Sequence, residues 1–166
     1  RYLDRMLGSP HARDEELSLV FFDLDHFKDV VDAHGHLCGS KVLKEVAHAV
    51  HHELDEDDGL VRYGGDEFVV LLPGQNKSQA LAKVRRFKQV IARTTFLLKG
   101  ELNVHVTASF GLATSPHDAQ DKRELLAEAD RCLFESKAKG KNRISVAGDA
   151  TTTAGESENV VVALTE

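Results

Sequence analysis

The sequence predicts an α/β sandwich, a ferredoxin-like arrangement in which helices pack around a central, mainly antiparallel sheet. Apolar runs typical of strands alternate with helical segments in the order helix, strand, two helices, hairpin, helix, strand, helix, strand. Two of the strands flank a Gly-Gly pair, which is a signal for a tight hairpin. The chain has 166 residues and no internal repeat, so we expect one domain.

Composition limits the class of partner and the compartment. The 42% apolar content is ordinary for a soluble globular protein. A formal net charge of −6 disfavours a nucleic acid as partner but permits a nucleotide that is bound together with a divalent cation. Cys38 and Cys132 have neither metal-ligand spacing nor the density of a disulfide scaffold, and no signal peptide or membrane-length apolar run is present. We therefore expect a cytoplasmic protein.

The first elements lead to two aspartates at the end of a strand. Residues 1–7 have the pattern of a helical fragment without a capping residue, so we expect further chain upstream. Residues 17–22 form a nearly continuous apolar run, which is typical of a buried strand. Asp23 and Asp25 follow it with the same side-chain orientation, at a strand end where ligands commonly bind. Asp25 is also expected to cap the next helix, a role that does not account for Asp23.

Two helices are predicted after this strand. The first covers residues 26–33 and ends at Gly35, which supplies the C-terminal turn. Residues 36–40 are predicted to form a second turn, and Ser40 is predicted to begin a longer helix that ends at residues 55–59, an acidic run closed by Gly59.

Three histidines on the longer helix admit two interpretations. His48, His51 and His52 occupy neighbouring helix positions and could form a zinc site. A solvated helix face is the favoured interpretation, because no Cys or carboxylate completes the ligand set.

The predicted hairpin covers residues 61–72 and presents two carboxylates beside its turn. Asp66 and Glu67 directly follow Gly64 and Gly65, so negative charge is concentrated where the backbone N–H groups are accessible. Such an arrangement suits Mg²⁺ held against a polyphosphate. An ordinary surface hairpin with acidic residues is the alternative, because short motifs match by chance.

The rest of the chain completes the sandwich. We predict a helix over residues 78–93, a half-exposed strand over 102–110 from its alternating pattern, a helix over 124–137 and a strand over 144–146. The polar segment 149–166 is predicted to be disordered or weakly ordered.

A basic cluster, residues 137–143, ends the last helix. Cationic residues at this position are favoured by the helix dipole, and they equally suit phosphate binding.

Several motifs in this order resemble one known family. They are Gly-Gly-Asp-Glu-Phe at 64–68, Asp-Leu-Asp-His-Phe-Lys at 23–28, Gly-His-Leu-Cys-Gly at 35–39, Thr-Ala-Ser-Phe-Gly at 107–111, Ala-Asp-Arg-Cys-Leu at 129–133, and Gly-Lys-Asn at 140–142. Together they are similar to the GGDEF domain, the catalytic domain of diguanylate cyclases, and the likeness runs from residue 1 to about residue 146. The resemblance implies a fold like that of the nucleotidyl cyclases.

The resemblance implies a domain organisation and a reaction. Residues 1–148 would form a GGDEF catalytic domain that is truncated inside its N-terminal motif, with residues 149–166 as a flexible tail and a sensory or receiver domain upstream. Two nucleoside triphosphates would be held face to face across a homodimer. Each 3′-hydroxyl would attack the other's α-phosphate and release pyrophosphate.

The resemblance also implies roles for individual residues, with Mg²⁺ or Mn²⁺ as cofactor. The metal would be held by Asp23, the carbonyl of Leu24, Asp66 and Glu67, and the last two would also be catalytic. The nucleotide phosphates would be bound by Phe27, Lys28, Gly64, Gly65, Lys137 and Lys141.

Two departures from the family pattern concern product inhibition and base recognition. The family's Arg-x-x-Asp inhibition motif ends here at Asp58, but Asp55 takes the place of its arginine, so we expect weak inhibition by that route. Arg86 matches an arginine that a neighbouring subunit offers to bound product. The guanine-reading asparagine and aspartate of the family are replaced by Val31 and Ser40.

The change at Ser40 predicts relaxed base choice. A carboxylate accepts from the N–H donors of guanine, whereas a serine hydroxyl donates or accepts by rotating. The pattern resembles the hybrid promiscuous subset of GGDEF enzymes, which use both GTP and ATP and make 3′,3′-cyclic GMP-AMP besides cyclic di-GMP. Three alternatives stay open: a strict diguanylate cyclase, an inactive nucleotide-sensing domain, and a Ser40 that merely caps its helix while guanine is read elsewhere.

Overall fold

The computed structural model describes residues 15–149, so the predicted helix at 1–7 and the predicted tail beyond Asp149 lie outside the described residues. The strands are β1 (Leu17–Leu24), β2 (Gly59–Gly64), β3 (Glu67–Pro73), β4 (Ala108–Ser115) and β5 (Ile144–Val146). The helices are α1 (Phe27–His34), α2 (His36–His51), α3 (Lys77–Arg93) and α4 (Lys122–Ala138).

The strands form one sheet in the order β2-β3-β1-β4-β5. The pairs β2/β3, β3/β1 and β1/β4 are antiparallel, and only β4/β5 is parallel. Because every residue of β1 is buried, this central strand carries the continuous apolar run seen in the sequence. The predicted α/β sandwich with a mainly antiparallel sheet is confirmed.

Two apolar cores lie on opposite faces of the sheet. Side chains of α2 and α3, such as Val46 and Phe87, pack on one face around Phe22 and Phe110. Helix α4 covers the other face, where its buried side chains meet Phe21 and neighbouring strand residues. Since alternate residues of a strand point to opposite faces, Asp23 lies on the α4 side, in line with Phe21.

The hairpin predicted over residues 61–72 is present, with Gly65 and Asp66 as its turn. Gly65 has a φ of +45°, in the left-handed region that favours glycine. The strand register becomes irregular between Arg62 and Gly64, just before the turn. The glycine pair correctly indicated a hairpin, but the turn is displaced by one residue, because Gly64 ends β2 and Asp66 lies in the turn.

The turn predicted over residues 36–40 is wrong, because these residues form the first part of α2. Gly39 misled the prediction: a Cβ at this position would lie 2.8 Å from Cγ2 of Val31, so glycine here permits close approach of α1 and α2. Ser40 is consequently inside the helix, and the N-cap position belongs to Gly35. The proposed capping role of Ser40 is wrong.

The strand predicted over residues 102–110 is displaced. Val104 makes only an isolated bridge to Phe96, and the alternating pattern reflects the burial of Val104 and Val106 in the core. The actual strand, β4, is central and buried on both faces, so it is not half-exposed and does not alternate. Its polar Thr114 is satisfied by the hydroxyl of Ser18 at 2.8 Å.

Two further expectations concern surface and capping residues. The capping role predicted for Asp25 is wrong, because α1 begins after His26 without a side-chain cap. His48, His51 and His52 are all exposed, as expected for a solvated face. Among the described residues, no helix is both long and apolar enough to cross a membrane.

Candidate active site

The candidate site lies where the end of β1 meets the hairpin turn. In the sheet register, Asp23 faces Glu67 of β3 on one side and Ser109 of β4 on the other. The backbone N–H of Leu24 donates to the carbonyl of Asp66 at 3.4 Å. Strand pairing therefore brings the first acidic motif beside the second.

A cavity of about 280 Å³ opens at this junction. It brings together acidic and basic side chains from β1, α1, the hairpin turn and the end of α4. Its lining includes Asp23, Leu24, Asp25, Phe27, Lys28, Asp66, Lys137 and Lys141. Most of the residues predicted to bind metal and phosphate thus share one cavity.

Asp23 is the most perturbed acid in this cavity. Burial raises the pKa of its carboxyl to about 7; the neighbouring Asp66 adds to the increase, and Lys137 opposes it. Oδ2 of Asp23 accepts a hydrogen bond from the ammonium of Lys137. Oδ1 is buried and has no hydrogen-bond partner in the described part of the chain. A buried, unpartnered acceptor beside a second carboxylate is a position that a cation would satisfy.

The donor set fits a hard divalent cation only in part. Across residues 15–149, no group of three or more His, Cys, Asp or Glu side chains is placed to hold a metal ion. Asp23 and Asp66 supply two carboxylates, and the carbonyl of Leu24 lies in the same cavity. Mg²⁺ usually binds through one or two carboxylates and completes its shell with phosphate oxygens and waters. The residues present therefore suit a metal that arrives with a nucleotide.

Glu67 does not share this cavity. It lines a neighbouring one of about 360 Å³, on the α4 side of the hairpin, together with Phe21, Tyr63, Arg123 and Asp130. The sequence placed Glu67 with the other metal ligands because it adjoins Asp66. Asp66 lies in the hairpin turn, whereas Glu67 begins β3 and pairs with Asp23, so these neighbours in sequence line different cavities.

The predicted phosphate-binding residues differ in how they are held. Lys137 and Lys141 are half-buried at the end of α4. Lys28 is exposed, and its ammonium lies 2.7 Å from Asp32, which raises the pKa of Lys28. At the turn, nothing lies within 4 Å of a Cβ built on Gly65, so the backbone there is open to approach.

A third cavity, of about 240 Å³, adjoins the cavity of about 280 Å³ that holds Asp23, and the two share Phe27 and Asp66. It lies between α1, the first turns of α2 and the hairpin. Its lining includes Val31, His36, Gly39, Ser40, Leu43 and Arg62. Both residues predicted to read the base, Val31 and Ser40, are therefore in one cavity.

Sequence reasoning missed two polar residues of the third cavity, His36 and Arg62. His36 was assigned to a turn, and the guanidinium of Arg62 bonds the carbonyl of Gly65 at 2.9 Å. Arg62 lies two residues before Gly64, and an arginine this close to a glycine turn was a usable signal. His36 belongs to the Gly-His-Leu-Cys-Gly motif at 35–39, but the predicted turn gave it no place in a cavity.

The predicted product-inhibition residues are engaged with other side chains. The ammonium of Lys83 lies 2.6 Å from Oδ2 of Asp55 and also contacts Asp58, whose side chain is 1% exposed. Lys83 holds the pKa of Asp55 below its usual range. Arg86 is exposed and lies 3.4 Å from Glu53. An internal ion-pair cluster thus uses both aspartates.

The chain matches the family model described as "Diguanylate cyclase, GGDEF domain" over residues 1–143. It is 32% identical to diguanylate cyclase A of Treponema denticola over 140 residues, which cover 84% of this chain and 38% of that protein. It is 35% identical to the cyclic di-GMP phosphodiesterase PdeR of Escherichia coli over 136 residues, 82% of this chain and 20% of that protein. The chain therefore spans well under half the length of these relatives.

A solved structure agrees with the sequence comparison. The GGDEF domain of PA1120 (TpbB or YfiN) from Pseudomonas aeruginosa superimposes with a TM-score of 0.80 at 30% identity, covering 88% of this chain and 85% of that one. The family model covers most of the chain, including the acidic hairpin and the end of β1. The chain belongs to the GGDEF-domain family, the family of the diguanylate cyclases.

Proposed function

We propose that this domain joins two nucleoside triphosphates into a cyclic dinucleotide, and that it accepts both GTP and ATP. Its products would be 3′,3′-cyclic GMP-AMP and cyclic di-GMP. The observation that carries the proposal is the pair of adjoining cavities that share Phe27 and Asp66. One has the charges suited to a metal-bound triphosphate, and the other, beside it, has the size and lining of a base pocket.

The reaction needs two nucleotides that attack each other. In each half-reaction a 3′-oxygen loses its proton and bonds the α-phosphorus of the other nucleotide, while the bond from the α-phosphorus to the β-phosphate oxygen breaks and pyrophosphate leaves. Because this pair of cavities would hold one nucleotide, a homodimer would bring two nucleotides together. Residues 1–148 are the proposed catalytic unit, with an upstream regulatory domain in the full-length protein.

The cavity residues have distinct proposed roles. Asp23, Asp66 and the carbonyl of Leu24 would hold Mg²⁺ or Mn²⁺, which when bound neutralises the phosphates and polarises the α-phosphoryl group. Lys137 and Lys141 would neutralise the remaining negative charge of the phosphates.

Glu67 has a different proposed role from the other acids. It lines the neighbouring cavity, from which it would serve the 3′-hydroxyl or a second ion.

Base choice depends on Ser40. Its position as the fifth residue of α2 leaves its hydroxyl without a capping duty. An aspartate at this position would accept from guanine and repel the N1 lone pair of adenine, whereas the serine hydroxyl accommodates either base. One good base contact is worth about 1–3 kcal/mol, so its loss reduces the preference for guanine by roughly tenfold to a hundredfold. ATP would then compete with GTP at comparable concentration.

Strict diguanylate cyclase activity is the second candidate. It is supported by the name of the Treponema relative, and it differs from the first only in base choice. A nucleotide-sensing domain without activity is a third possibility, because another relative is named for phosphodiesterase activity. The pairing of Asp23, Asp66 and the two lysines in one cavity favours an active site over a degenerate one.

The test is product analysis on the purified domain with equal ATP and GTP and Mg²⁺. We expect pyrophosphate release and a mixture dominated by cyclic GMP-AMP, with some cyclic di-GMP and cyclic di-AMP. Ser40→Asp should shift the mixture towards cyclic di-GMP. Lys41→Asp, which places a carboxylate at the adjacent exposed position outside the cavity, should leave the ratio unchanged.

The outcomes separate the candidates. Cyclic di-GMP as the sole product of the wild type would refute relaxed base choice and leave a strict diguanylate cyclase. An absence of pyrophosphate release with tight nucleotide binding would indicate a sensing domain.

A further inference from the structure

Asp25 is a buried carboxylate that the sequence placed at a strand end where ligands bind and also predicted to cap the next helix. It is 4% exposed, and both of its oxygens are occupied by donors that are remote in sequence. Oδ1 accepts from the hydroxyl of Ser109 at 2.6 Å, and Oδ2 accepts from the hydroxyl of Thr107 at 2.6 Å. Oδ2 also accepts from the backbone N–H of Asn142 at 2.9 Å. Three donors thus occupy three of the roughly four acceptor positions of this carboxylate.

The bond to Asn142 anchors an unusual backbone turn. Gly140, Lys141 and Asn142 have φ values of +115°, +65° and +48°, so three consecutive residues lie in the left-handed half of backbone space. Non-glycine residues rarely adopt this conformation, and it persists where the surroundings determine it. The N–H of Lys141 bonds the carbonyl of Ser136, which ties the turn to α4 from one side. Asp25 ties it to the end of β1 from the other.

The turn matters because it carries Lys141 into the cavity that also holds Asp23 and Asp66. A long, flexible lysine side chain binds a phosphate well only if its backbone is fixed at a suitable distance. Asp25 supplies that restraint and lies two residues beyond Asp23. The same strand end therefore fixes the positions of both Asp23, the proposed metal ligand, and Lys141, the proposed phosphate-binding residue.

We infer that Asp25 is a positioning residue that acts through Lys141: its carboxylate holds the turn at residues 140–142 and so places the Lys141 ammonium for the triphosphate. This inference rests on the proposed function for the identity of the ligand. In this role the Asp25 oxygens accept from Thr107, Ser109 and Asn142, and the residue acts on the nucleotide only through Lys141.

A double-mutant cycle tests whether Asp25 works through Lys141. The probe is α,β-methylene-GTP, which cannot react, titrated by calorimetry with Mg²⁺ into wild type, Asp25→Ala, Lys141→Met and the double variant. Losing a charge-assisted hydrogen bond to phosphate weakens binding by about tenfold to a hundredfold, and we expect this range for either single variant. The double variant should be no more than about threefold weaker than Lys141→Met alone.

A second readout addresses the turn without any nucleotide. Amide hydrogen exchange by NMR should show the Asn142 N–H protected in the wild type and fast-exchanging in Asp25→Ala. Asp25→Asn keeps one acceptor oxygen, so its Asn142 N–H protection and its probe affinity should both be intermediate. This variant replaces Asp25→Ala in the double-mutant cycle if the alanine variant does not fold. Ser18→Ala removes a buried hydroxyl at the other end of β1 and should change stability without changing affinity.

The outcomes are distinct from those of the proposed function. The inference would be overturned if Asp25→Ala weakened probe binding equally in the presence and absence of the Lys141 side chain. It would also be overturned if the Asn142 N–H exchanged fast in the wild type, or if the wild type did not bind the probe. Tight binding of the probe by the wild type and non-additive effects of the two substitutions, without cyclic dinucleotide formation, would refute the proposed reaction and support the inference.

Discussion

Replacing Lys83 by methionine should destabilise the domain more than any other single charge removal on α3. The Lys83 side chain is 4% exposed and neutralises two carboxylates, one of which, Asp58, is 1% exposed. Methionine keeps the buried stem but removes the ammonium. Asp58 would retain its bonds from Gln75 at 2.9 Å and from the backbone N–H of Asp55 at 2.8 Å, without a counter-charge.

The expected magnitude follows from that burial. Removing one partner of a buried ion pair costs about 3–5 kcal/mol, and the two remaining hydrogen bonds place this case near the lower end, at about 3 kcal/mol. Asp58→Asn in the Lys83→Met background should recover most of the loss, because its amide oxygen can accept from the backbone N–H of Asp55 while its NH2 donates to the oxygen of a flipped Gln75 amide, without a buried charge. Asp55→Ala should cost far less than Lys83→Met, since the Asp55 side chain is 77% exposed.

The assay is urea unfolding followed by far-UV circular dichroism, which suits a chain without tryptophan. Lys88→Met is the matched control on α3 and should shift the free energy of unfolding by no more than about 0.5 kcal/mol. A loss below about 1 kcal/mol for Lys83→Met, or no recovery in the double variant, would refute the ion-pair account.

The same cluster bears on product binding. Asp55 and Asp58 already pair with Lys83, and like charge at Asp55 repels a phosphate, so cyclic di-GMP should bind weakly through residues 55–58. Tight binding that disappears in Asp58→Asn, in calorimetric titration of the wild type and the variant, would contradict this expectation.

Asp66→Ala should lower turnover by about a hundredfold or more while the free energy of unfolding changes by less than about 1 kcal/mol, because its side chain lies at an open turn; normal turnover would refute its role. In metal-free protein, the pKa of Asp23 is raised from 3.8 to about 7, so the folded state holds a proton that the unfolded chain has released. Stability should therefore fall as pH rises from about 4 to about 7 and stay low above that, and Asp23→Asn should flatten this slope in urea titrations. Gly111→Ala should cost about 3 kcal/mol, because its Cβ would lie 2.0 Å from the backbone oxygen of Ala129; a Gly100→Ala control has open space, and equal melting temperatures for the two would contradict the packing account.

The sequence by itself determined the features that depend on local pattern. The apolar run of β1, the glycine turn at Gly65 and the amphipathic helices α3 and α4 follow from propensity and periodicity, which act over a few residues. The acidic residues at the end of β1 and at the hairpin were identified from the same local patterns, the apolar run and the glycine pair that precede them. The antiparallel pairing of β1 with β3 then brings them together, because it places the end of β1 beside the hairpin turn.

Only the tertiary structure decided features that depend on contacts between distant segments. Gly39 resembles a turn residue until Val31 is seen against it, and β4 lacks an alternating pattern because both of its faces are buried. The partners of Asp25 lie 82 to 117 residues away, and Lys83 lies 25 residues from Asp58. Burial and long-range hydrogen bonding set the roles of these residues, and neither is written in the local sequence.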